Sequence, residues 1–213
     1  MSMFVKIARF ICAPYFEKRY KIGCLAARVV TQTLYRTQFQ SVGNRTWVKK
    51  PSQIFNPSNI AIGKDVRIEA GCVLYSVSKY AEATYDGRIT IGDGVFANNG
   101  LKLSAVSSIT VGEGVAFGYN VFITDFDHDY TDLAIPILAT PLVTKGPVSI
   151  GKHSWIGANV FISSGVQLGQ HCVVAANSVV TKSFPANSVI GGNPARIIRQ
   201  FDAQEGAWVT AKA

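Results

Sequence analysis

Apolar residues recur at every sixth position along most of this chain. Tetrapeptides of the form aliphatic-x-aliphatic-Gly recur along it and include those that end at Gly63, Gly92, Gly112 and Gly151. A period of six produces neither the 3.6-residue stripe of a helix nor a hairpin, so it predicts short extended segments joined by sharp corners. Steps of six from the third residue of each tetrapeptide reach only apolar residues: Ile62, Ile68, Leu74, Ile91, Ala97, Leu103, Val111, Phe117, Ile123, Ile150, Ile156, Ile162, Leu168, Val174 and Val180.

Three such segments would form one triangular coil of 18 residues. Stacked coils would place parallel strands about 4.8 Å apart and set each inward side chain on its equivalent in the next coil. A second apolar set lies four residues beyond the inward positions and includes Cys72 and Cys172, so these thiols are predicted to pack in the core. The glycine that follows many inward residues is expected to supply unusual backbone angles at the corners.

The period is interrupted at residues 76–86 and, for longer, at residues 127–147. A long loop in a repeat protein is typical of a functional site. We therefore expect residues 127–147, which contain three prolines, to shape a binding pocket.

The most informative feature of the composition is where the charged residues lie along the chain. The 213 residues are 48% hydrophobic, which predicts a globular core and excludes a disordered chain. The net charge is +8, but residues 1–50 hold ten cations and one anion, so the remainder is nearly neutral. The four cysteines have no C-x-x-C spacing, no secretory signal is evident, and no apolar stretch is long enough to span a bilayer. These features predict reduced thiols and a cytoplasmic location.

The stretch 148–160 and the ending 191–196, together with the period of six, resemble the hexapeptide-repeat acyltransferases. The resemblance covers about residues 54–200 and is closest to the galactoside and maltose O-acetyltransferases and the O-acetyltransferases of bacterial surface polysaccharides. It implies an all-β fold, a left-handed parallel β-helix of about five triangular coils, assembled as a homotrimer. We predict three regions: a basic helical N-terminal segment over residues 1–53, the β-helix over 54–185 with loop 127–147, and a C-terminal cap and tail over 186–213.

The same resemblance implies an acetyl-CoA-dependent transfer to a sugar hydroxyl in surface polysaccharide biosynthesis, with no metal. His128 matches the family's catalytic histidine, and a base that titrates near neutral pH suits removal of a hydroxyl proton. Many polysaccharide O-acetyltransferases have a second histidine in this segment, where this chain has Phe126. Asp125, Asp127 and Tyr130 are candidates to bind the acceptor, with solvated loop carboxylates as the alternative for the aspartates.

Asn98 matches a family asparagine that contacts the acceptor sugar. It follows the inward Ala97, so a corner residue that tolerates left-handed angles is the alternative. Ala158 stands where the sugar enzymes have a serine. Positions that match the family's contacts to acetyl-CoA are Trp155, Ala158, Ala176, Thr181, Lys182, Arg196 and Arg199, and ordinary solvated charge is the alternative for each cation.

His153 and His171 are one coil apart, so their side chains are predicted to lie within about 5 Å of each other. A zinc site and a pair of structural surface histidines are both compatible with this spacing. We favour the surface pair.

Residues 22–39 predict an amphipathic helix whose apolar face includes Leu25, Val29 and Leu34. Aromatic and aliphatic residues interleave with cations before it. Two interpretations stay open for residues 1–50: a cap on the first coil, or peripheral contact with the inner face of an anionic membrane. Nucleic-acid binding is not predicted, because no reader motif accompanies the charge. For the whole chain, amino-sugar N-acetylation and a non-catalytic trimeric scaffold are the alternatives.

Overall fold

The computed structural model describes residues 14–210, and these form a triangular prism of stacked parallel strands. The fold is the predicted left-handed parallel β-helix. Face 1 contains β1 (Ser41–Val42), β4 (Ile60–Ile62), β9 (Arg88–Ile91), β12 (Ser108–Val111), β17 (Val148–Ile150) and β20 (Gln167–Leu168). Face 2 contains β2 (Trp47–Val48), β5 (Arg67–Ile68), β10 (Phe96–Ala97), β13 (Ala116–Phe117), β18 (Trp155–Ile156), β21 (Val173–Val174) and β23 (Ser188–Gly192). Face 3 contains β3 (Gln53–Phe55), β6 (Val73–Ser76), β11 (Lys102–Ala105), β14 (Phe122–Thr124), β19 (Phe161–Ile162) and β22 (Val179–Val180).

The core of the prism consists of the residues that the period of six selects. All of the predicted inward positions are at most 3% exposed. The second apolar set is buried as well, and both Cys72 and Cys172 are fully buried. Burial raises the pKa of the Cys72 thiol to about 12, which keeps it protonated and unreactive at neutral pH.

The β-helix begins one coil earlier than predicted. Val42, Val48 and Ile54 are spaced by six and pair in register with Ile62, Ile68 and Leu74, after a step of eight from Ile54 to Ile62. The stack therefore has six coils instead of about five, and residues 41–53 belong to it. The sequence signal was present but weak, because β1 lacks the flanking aliphatic residue that marks the later tetrapeptides.

The corner glycines are required by close packing and not by unusual backbone angles. The left-handed residues lie three positions beyond the inward residue, as at Asp65, Gly94 and His153. Gly112, directly after an inward residue, is not left-handed, but a Cβ there would lie 2.6 Å from the backbone nitrogen of Lys152 in the next coil. The prediction that these glycines supply unusual backbone angles was therefore wrong.

The N-terminal helix α1 (Tyr15–Thr33) packs across β2 of the first coil. It begins and ends earlier than the predicted helix, and a short 3₁₀ turn (Tyr35–Thr37) follows it. Thr31 is fully buried, and its hydroxyl accepts a hydrogen bond from the backbone N–H of Val48 at 2.9 Å. The Gln32 amide donates to the carbonyl oxygens of Gly43 and Thr46. The helix thus covers the first coil through small and polar groups.

The apolar face that the sequence predicted for this helix is mostly exposed. Leu25 is 64% and Val29 is 55% exposed, whereas Ala27 on the opposite side is buried. The close approach of α1 to the first coil explains this orientation, because Ala27 and Thr31 are short enough to allow it. The apolar and basic residues that precede Pro14 lie outside the described residues.

Two excursions and a terminal sheet extend the prism. The first excursion holds the hairpin β7 (Lys79–Tyr80) and β8 (Ala83–Thr84). The second holds the antiparallel pair β15 (Asp127–His128) and β16 (Leu142–Val143) with the 3₁₀ turn Ile137–Ala139. Another 3₁₀ turn, Pro57–Asn59, lies between β3 and β4. At the other end, β24 (Ala195–Asp202) and β25 (Ala207–Thr210) add to face 2 as antiparallel strands. The predicted C-terminal tail is therefore largely sheet within the described residues.

Candidate active site

His128 lies at the corner between faces 3 and 1, which we call the excursion corner. Both excursions, residues 76–86 and 127–147, leave the prism at this corner, from the ends of β6 and β14. These strands flank β11 on face 3, so the excursions converge above it. The loop predicted to be functional is therefore built against a second loop that the sequence did not single out.

Backbone pairing holds His128 in place. In the register of β15 and β16, His128 stands opposite Leu142. The Tyr85 hydroxyl of the first excursion accepts a hydrogen bond from the Leu142 N–H at 2.7 Å and donates to the Leu142 carbonyl oxygen at 3.2 Å. The Tyr80 ring meets the imidazole edge-on, with ring centroids 5.3 Å apart. The first excursion thus fixes both the strand opposite His128 and one side of its ring.

The two nitrogens of the His128 imidazole have different surroundings. Nδ1 is buried and has no hydrogen-bond partner among the described residues. Nε2 is not sealed off in this way, and no side chain of residues 14–210 bonds to it. The His128 side chain lines a cavity between the two excursions, where a ligand could approach it.

Asp125 has a structural position, in contrast to the prediction that it binds the acceptor. It is fully buried, and its two carboxylate oxygens accept hydrogen bonds from the backbone N–H groups of Val106 (2.7 Å) and Ser107 (2.9 Å). Burial raises the pKa of Asp125, while these hydrogen bonds act in the opposite direction. Asp125 therefore anchors the start of the second excursion to the turn after β11 and does not face an acceptor.

The other predicted acceptor residues of this loop are exposed. Asp127 directly precedes His128 on β15 and is exposed, and Tyr130 is 73% exposed. Both lie close to His128 along the chain and are accessible to a ligand.

Asn98 lies at a different corner, between faces 2 and 3, which we call the groove corner. It follows β10, is half-buried, and its side chain forms no hydrogen bond with any residue between 14 and 210. Its backbone is not left-handed, so the alternative explanation for an asparagine at this position is wrong. The side-chain amide is available to a ligand.

The predicted contacts to the thioester end and the arm of the acyl donor also lie at or beside the groove corner. Ala158 and Ala176 occupy equivalent positions in successive coils, since β18 pairs with β21 in register. Trp155 projects from face 2 beside them and is 57% exposed. A line of asparagines (Asn120, Asn159 and Asn177) runs along this corner, joined by side-chain hydrogen bonds of 3.3 and 3.1 Å. The two alanines therefore lie beside a hydrogen-bonded polar ladder that runs along the stack.

The predicted cations lie toward the C-terminal end of the stack. Thr181 and Lys182 follow β22 at the excursion corner, and Arg196 and Arg199 lie on β24. All four are exposed. The Arg196 guanidinium donates to its neighbouring carbonyl at Ala195, and Lys182 lies 5.7 Å from the centre of the Phe184 ring.

The His153 and His171 rings stack as predicted, with centroids 5.2 Å apart, and both side chains are exposed. They lie at the third corner, between faces 1 and 2, away from His128. Within residues 14–210, no three His, Cys, Asp or Glu side chains approach closely enough to hold a metal ion. The pair alone offers two ligands, fewer than the three protein ligands of a catalytic zinc site.

The predicted site residues therefore do not meet within a single chain. His128 belongs to the excursion corner, whereas Asn98, Ala158 and Ala176 belong to the groove corner. Face 3 separates the two corners. Sequence reasoning also missed Tyr80 and Tyr85, which contact the His128 loop; the concentration of tyrosines around the first excursion was the available signal.

Comparison with known proteins finds similarity to acyltransferases both in sequence and in structure. Residues 147–182 match the family described as "Hexapeptide repeat of succinyl-transferase". The chain is 30% identical over 200 residues to the putative lipopolysaccharide biosynthesis O-acetyl transferase WbbJ of Escherichia coli (strain K12), an alignment that covers 91% of this chain and 97% of WbbJ. It is 26% identical to the galactoside O-acetyltransferase of the same organism, over 82% of this chain and 70% of that protein. Among solved structures, AntD, an N-acyltransferase from Bacillus cereus in complex with dTDP and 3-hydroxybutyryl-CoA, superposes with a TM-score of 0.67 at 25% identity, over 82% of this chain and 90% of AntD.

Proposed function

Because this chain belongs to the hexapeptide-repeat acyltransferase family, it is an acyltransferase, and we propose that it transfers an acetyl group from acetyl-CoA to a sugar hydroxyl in surface polysaccharide biosynthesis. The observation that carries the proposal is the geometry of His128. Its position is held by the β15–β16 pairing and by Tyr85, and its side chain lines a cavity between the two excursions. The chain is similar to an O-acetyl transferase over almost the whole length of both proteins, which supports a hydroxyl group as the acceptor.

In the proposed reaction, Nε2 of His128 takes the proton of the acceptor hydroxyl while the oxygen attacks the thioester carbonyl. A backbone N–H stabilises the negative charge on the carbonyl oxygen. The C–S bond then breaks, the acetyl group stays on the sugar oxygen, and the proton passes from the imidazolium to the departing thiolate. No covalent acetyl-enzyme is required, and the role of Nε2 as base places the imidazole proton on Nδ1.

The proposed binding residues divide between the two partners. Trp155, Ala158 and Ala176 would line the pantetheine arm of acetyl-CoA along the groove corner. The cations Lys182, Arg196 and Arg199, with Thr181, would contact its phosphorylated nucleotide end, where guanidinium groups suit phosphate. Asn98, Asp127 and Tyr130 would bind the acceptor.

Thiol release from acetyl-CoA tests the proposal directly. We expect the wild-type protein to release CoA in the presence of sugar glycosides and the product to carry an O-acetyl group by mass spectrometry. The N-acyltransferase AntD favours a second candidate, transfer to an amino sugar. Turnover with amino sugars alone would support that candidate, and no turnover with any acceptor would overturn both.

We also propose that the protein is a homotrimer. The separation of His128 from the groove corner supports this, because an excursion corner of one subunit can meet the groove corner of its neighbour. Light scattering on a sizing column should give three times the chain mass of 23.0 kDa. A mass equal to that of one chain would contradict the proposal, and the site would then have to form within a single prism.

We further propose that α1 contacts an anionic membrane. No helix within residues 14–210 is long and apolar enough to cross a bilayer. Instead, α1 exposes Ile22, Leu25 and Val29 beside the cations Lys18 and Arg19, a combination typical of helices that lie in the lipid interface. Burial of Leu25 and the approach of the cations to anionic lipid would both favour binding.

Vesicle sedimentation tests the membrane contact. We expect wild-type protein to sediment with vesicles of phosphatidylglycerol and phosphatidylcholine, and Leu25→Asp to lower the bound-to-free ratio about fivefold or more, since each charge near the surface changes binding by about 1 kcal/mol. Leu133→Asp is the matched control, because Leu133 is 97% exposed in the second excursion. Equal binding of both variants and the wild type would contradict the contact. Deletion of residues 1–50 is unsuitable, since it removes part of the first coil.

A further inference from the structure

A cavity of about 220 Å³ lies between the two excursions, beside His128. Pockets that enclose a whole small molecule are usually about 300–1,000 Å³, so this cavity suits part of a ligand. Its walls are the side chains of Tyr75, Val77, Tyr80, Phe126, His128 and Leu142. Among these six side chains, the imidazole and the two tyrosine hydroxyls are the groups that can form hydrogen bonds.

The two tyrosines differ in what their hydroxyls bind. The Tyr80 hydroxyl donates to the carbonyl oxygen of Leu138 at 3.2 Å, and its ring meets the His128 imidazole edge-on. The Tyr75 hydroxyl has no hydrogen-bond partner among residues 14–210. A tyrosine that is partly buried usually has such a partner. The Tyr75 hydroxyl can therefore bind a ligand without first giving up a contact within the described part of the chain.

The position of Tyr75 is set by the prism and not by a loop. Tyr75 lies on β6, which pairs with β3 on one side and with β11 on the other, so that Phe55, Tyr75 and Ser104 are neighbours on face 3. The rings of Phe55 and Tyr75 pack with their centroids 4.7 Å apart. A group on a paired strand is held more precisely than a group on a loop. The cavity thus combines a hydroxyl from the scaffold with the imidazole from the second excursion.

From these contacts we infer that Tyr75 binds the acceptor: its hydroxyl forms a hydrogen bond with one hydroxyl of the sugar while a different hydroxyl of the same sugar reaches His128. The inference rests on the proposed function, since it takes His128 as the base at the same site. An acceptor without that second hydroxyl leaves the Tyr75 hydroxyl unpaired beside apolar side chains, which is costly. The acceptor is therefore a sugar with a second free hydroxyl at a fixed position relative to the acetylated one.

Glycosides that lack a single hydroxyl group test the inference on the full chain with acetyl-CoA. The probes are the methyl glycosides of galactose, glucose and mannose and the derivatives of each that lack one hydroxyl. The acetylated position is the one whose loss abolishes CoA release in every variant. At a second position, we expect loss of the hydroxyl to lower kcat/KM of the wild type by about tenfold, because the partner group on the protein is then left unpaired.

Tyr75→Phe and Tyr80→Phe form a matched pair of variants. Tyr75→Phe keeps the ring that packs on Phe55 and removes the hydroxyl, so the parent glycoside should lose about tenfold in kcat/KM and then equal the derivative that lacks the second hydroxyl. Tyr80→Phe removes a hydroxyl that bonds to the Leu138 carbonyl, so it should change kcat/KM for every glycoside by one common factor and preserve the tenfold ratio.

Two results with these variants would overturn the role of Tyr75. Retention of the tenfold ratio in Tyr75→Phe would show that another group binds the second hydroxyl. Loss of the ratio in both variants would show that the shape of the cavity, and not the Tyr75 hydroxyl, makes the selection.

Ligand-observed NMR measures binding of the same glycosides and separates this inference from the proposed function. CoA release with an unchanged ratio in Tyr75→Phe would overturn the role of Tyr75 and leave the O-acetyltransferase proposal intact. A binding ratio that is lost only in Tyr75→Phe, without CoA release by any variant, would support Tyr75 as a binding residue and overturn the proposed reaction. Neither binding nor CoA release with any of the glycosides would overturn both.

Discussion

His128→Ala should lower kcat for CoA release by about 10³-fold, within the range of about 10²–10⁴ that a positioned general base contributes. In the proposed reaction the imidazole takes the acceptor proton, and its loss removes that group from the site. The fold should not change, because the β15–β16 pairing is formed by backbone groups. Steady-state kinetics with a saturating sugar acceptor measures the effect, and circular dichroism checks the fold.

His153→Ala is the control for this experiment. His153 is exposed and stacks on His171 at the corner between faces 1 and 2, so its loss should leave kcat within about twofold. If His128→Ala retained wild-type turnover, His128 would not be the base. If His153→Ala were as impaired as His128→Ala, the assignment of the site to the excursion corner would be wrong.

Gly112→Ala should destabilise the fold by about 3 kcal/mol, at the upper end of the usual cost of overpacking. A Cβ at this position would lie 2.6 Å from the backbone nitrogen and 2.9 Å from the Cα of Lys152, and 3.0 Å from the carbonyl oxygen of Ile150. These are backbone atoms of the next coil, so no rotamer change relieves the overlap. Urea denaturation at a fixed protein concentration, followed by circular dichroism, should show a clearly lower midpoint.

Gly23→Ala is the matched substitution outside the stack. Gly23 lies within α1, and the nearest atom to its added Cβ is the flexible Lys49 Cε at 3.5 Å. Alanine is favoured over glycine in a helix by about 1 kcal/mol, so this variant should be at least as stable as the wild type. Equal loss of stability in both glycine variants would contradict the close-packing explanation for the corner glycines.

The residues of the candidate site were proposed from sequence one by one, whereas their arrangement in space was not. His128 and Asn98 were identified by their match to a family motif, which follows the chain and does not report distance. Whether two residues share a corner depends on how many strands lie between them and on how the chain turns within each coil. These two factors place His128 and Asn98 at different corners. Asp125 was misassigned for a related reason: an aspartate in a loop is usually solvated, and only the fold shows the two N–H groups that it accepts from.

The contacts that the tyrosines of the first excursion make with the His128 loop could not be predicted from sequence either. Tyr80 and Tyr85 lie more than 40 residues before His128, and they reach it only because β6 and β14 are separated by a single strand in face 3. The excursions therefore leave the prism next to each other. Contacts between the two excursions at the candidate site therefore depend on how the coils stack.

The sequence by itself determined the period, the identity of the core residues and the parallel stack, since in a repeat of six the same positions of every hexad are buried. It also determined that charge is concentrated before residue 50. Only the tertiary structure decided that a first coil begins at β1, that α1 covers it through Thr31 and Ala27, and that the exposed face of α1 is the apolar one. The physical reason is that local patterns specify which side chains avoid water, whereas the surfaces that meet are chosen by shape and by hydrogen bonds between distant segments.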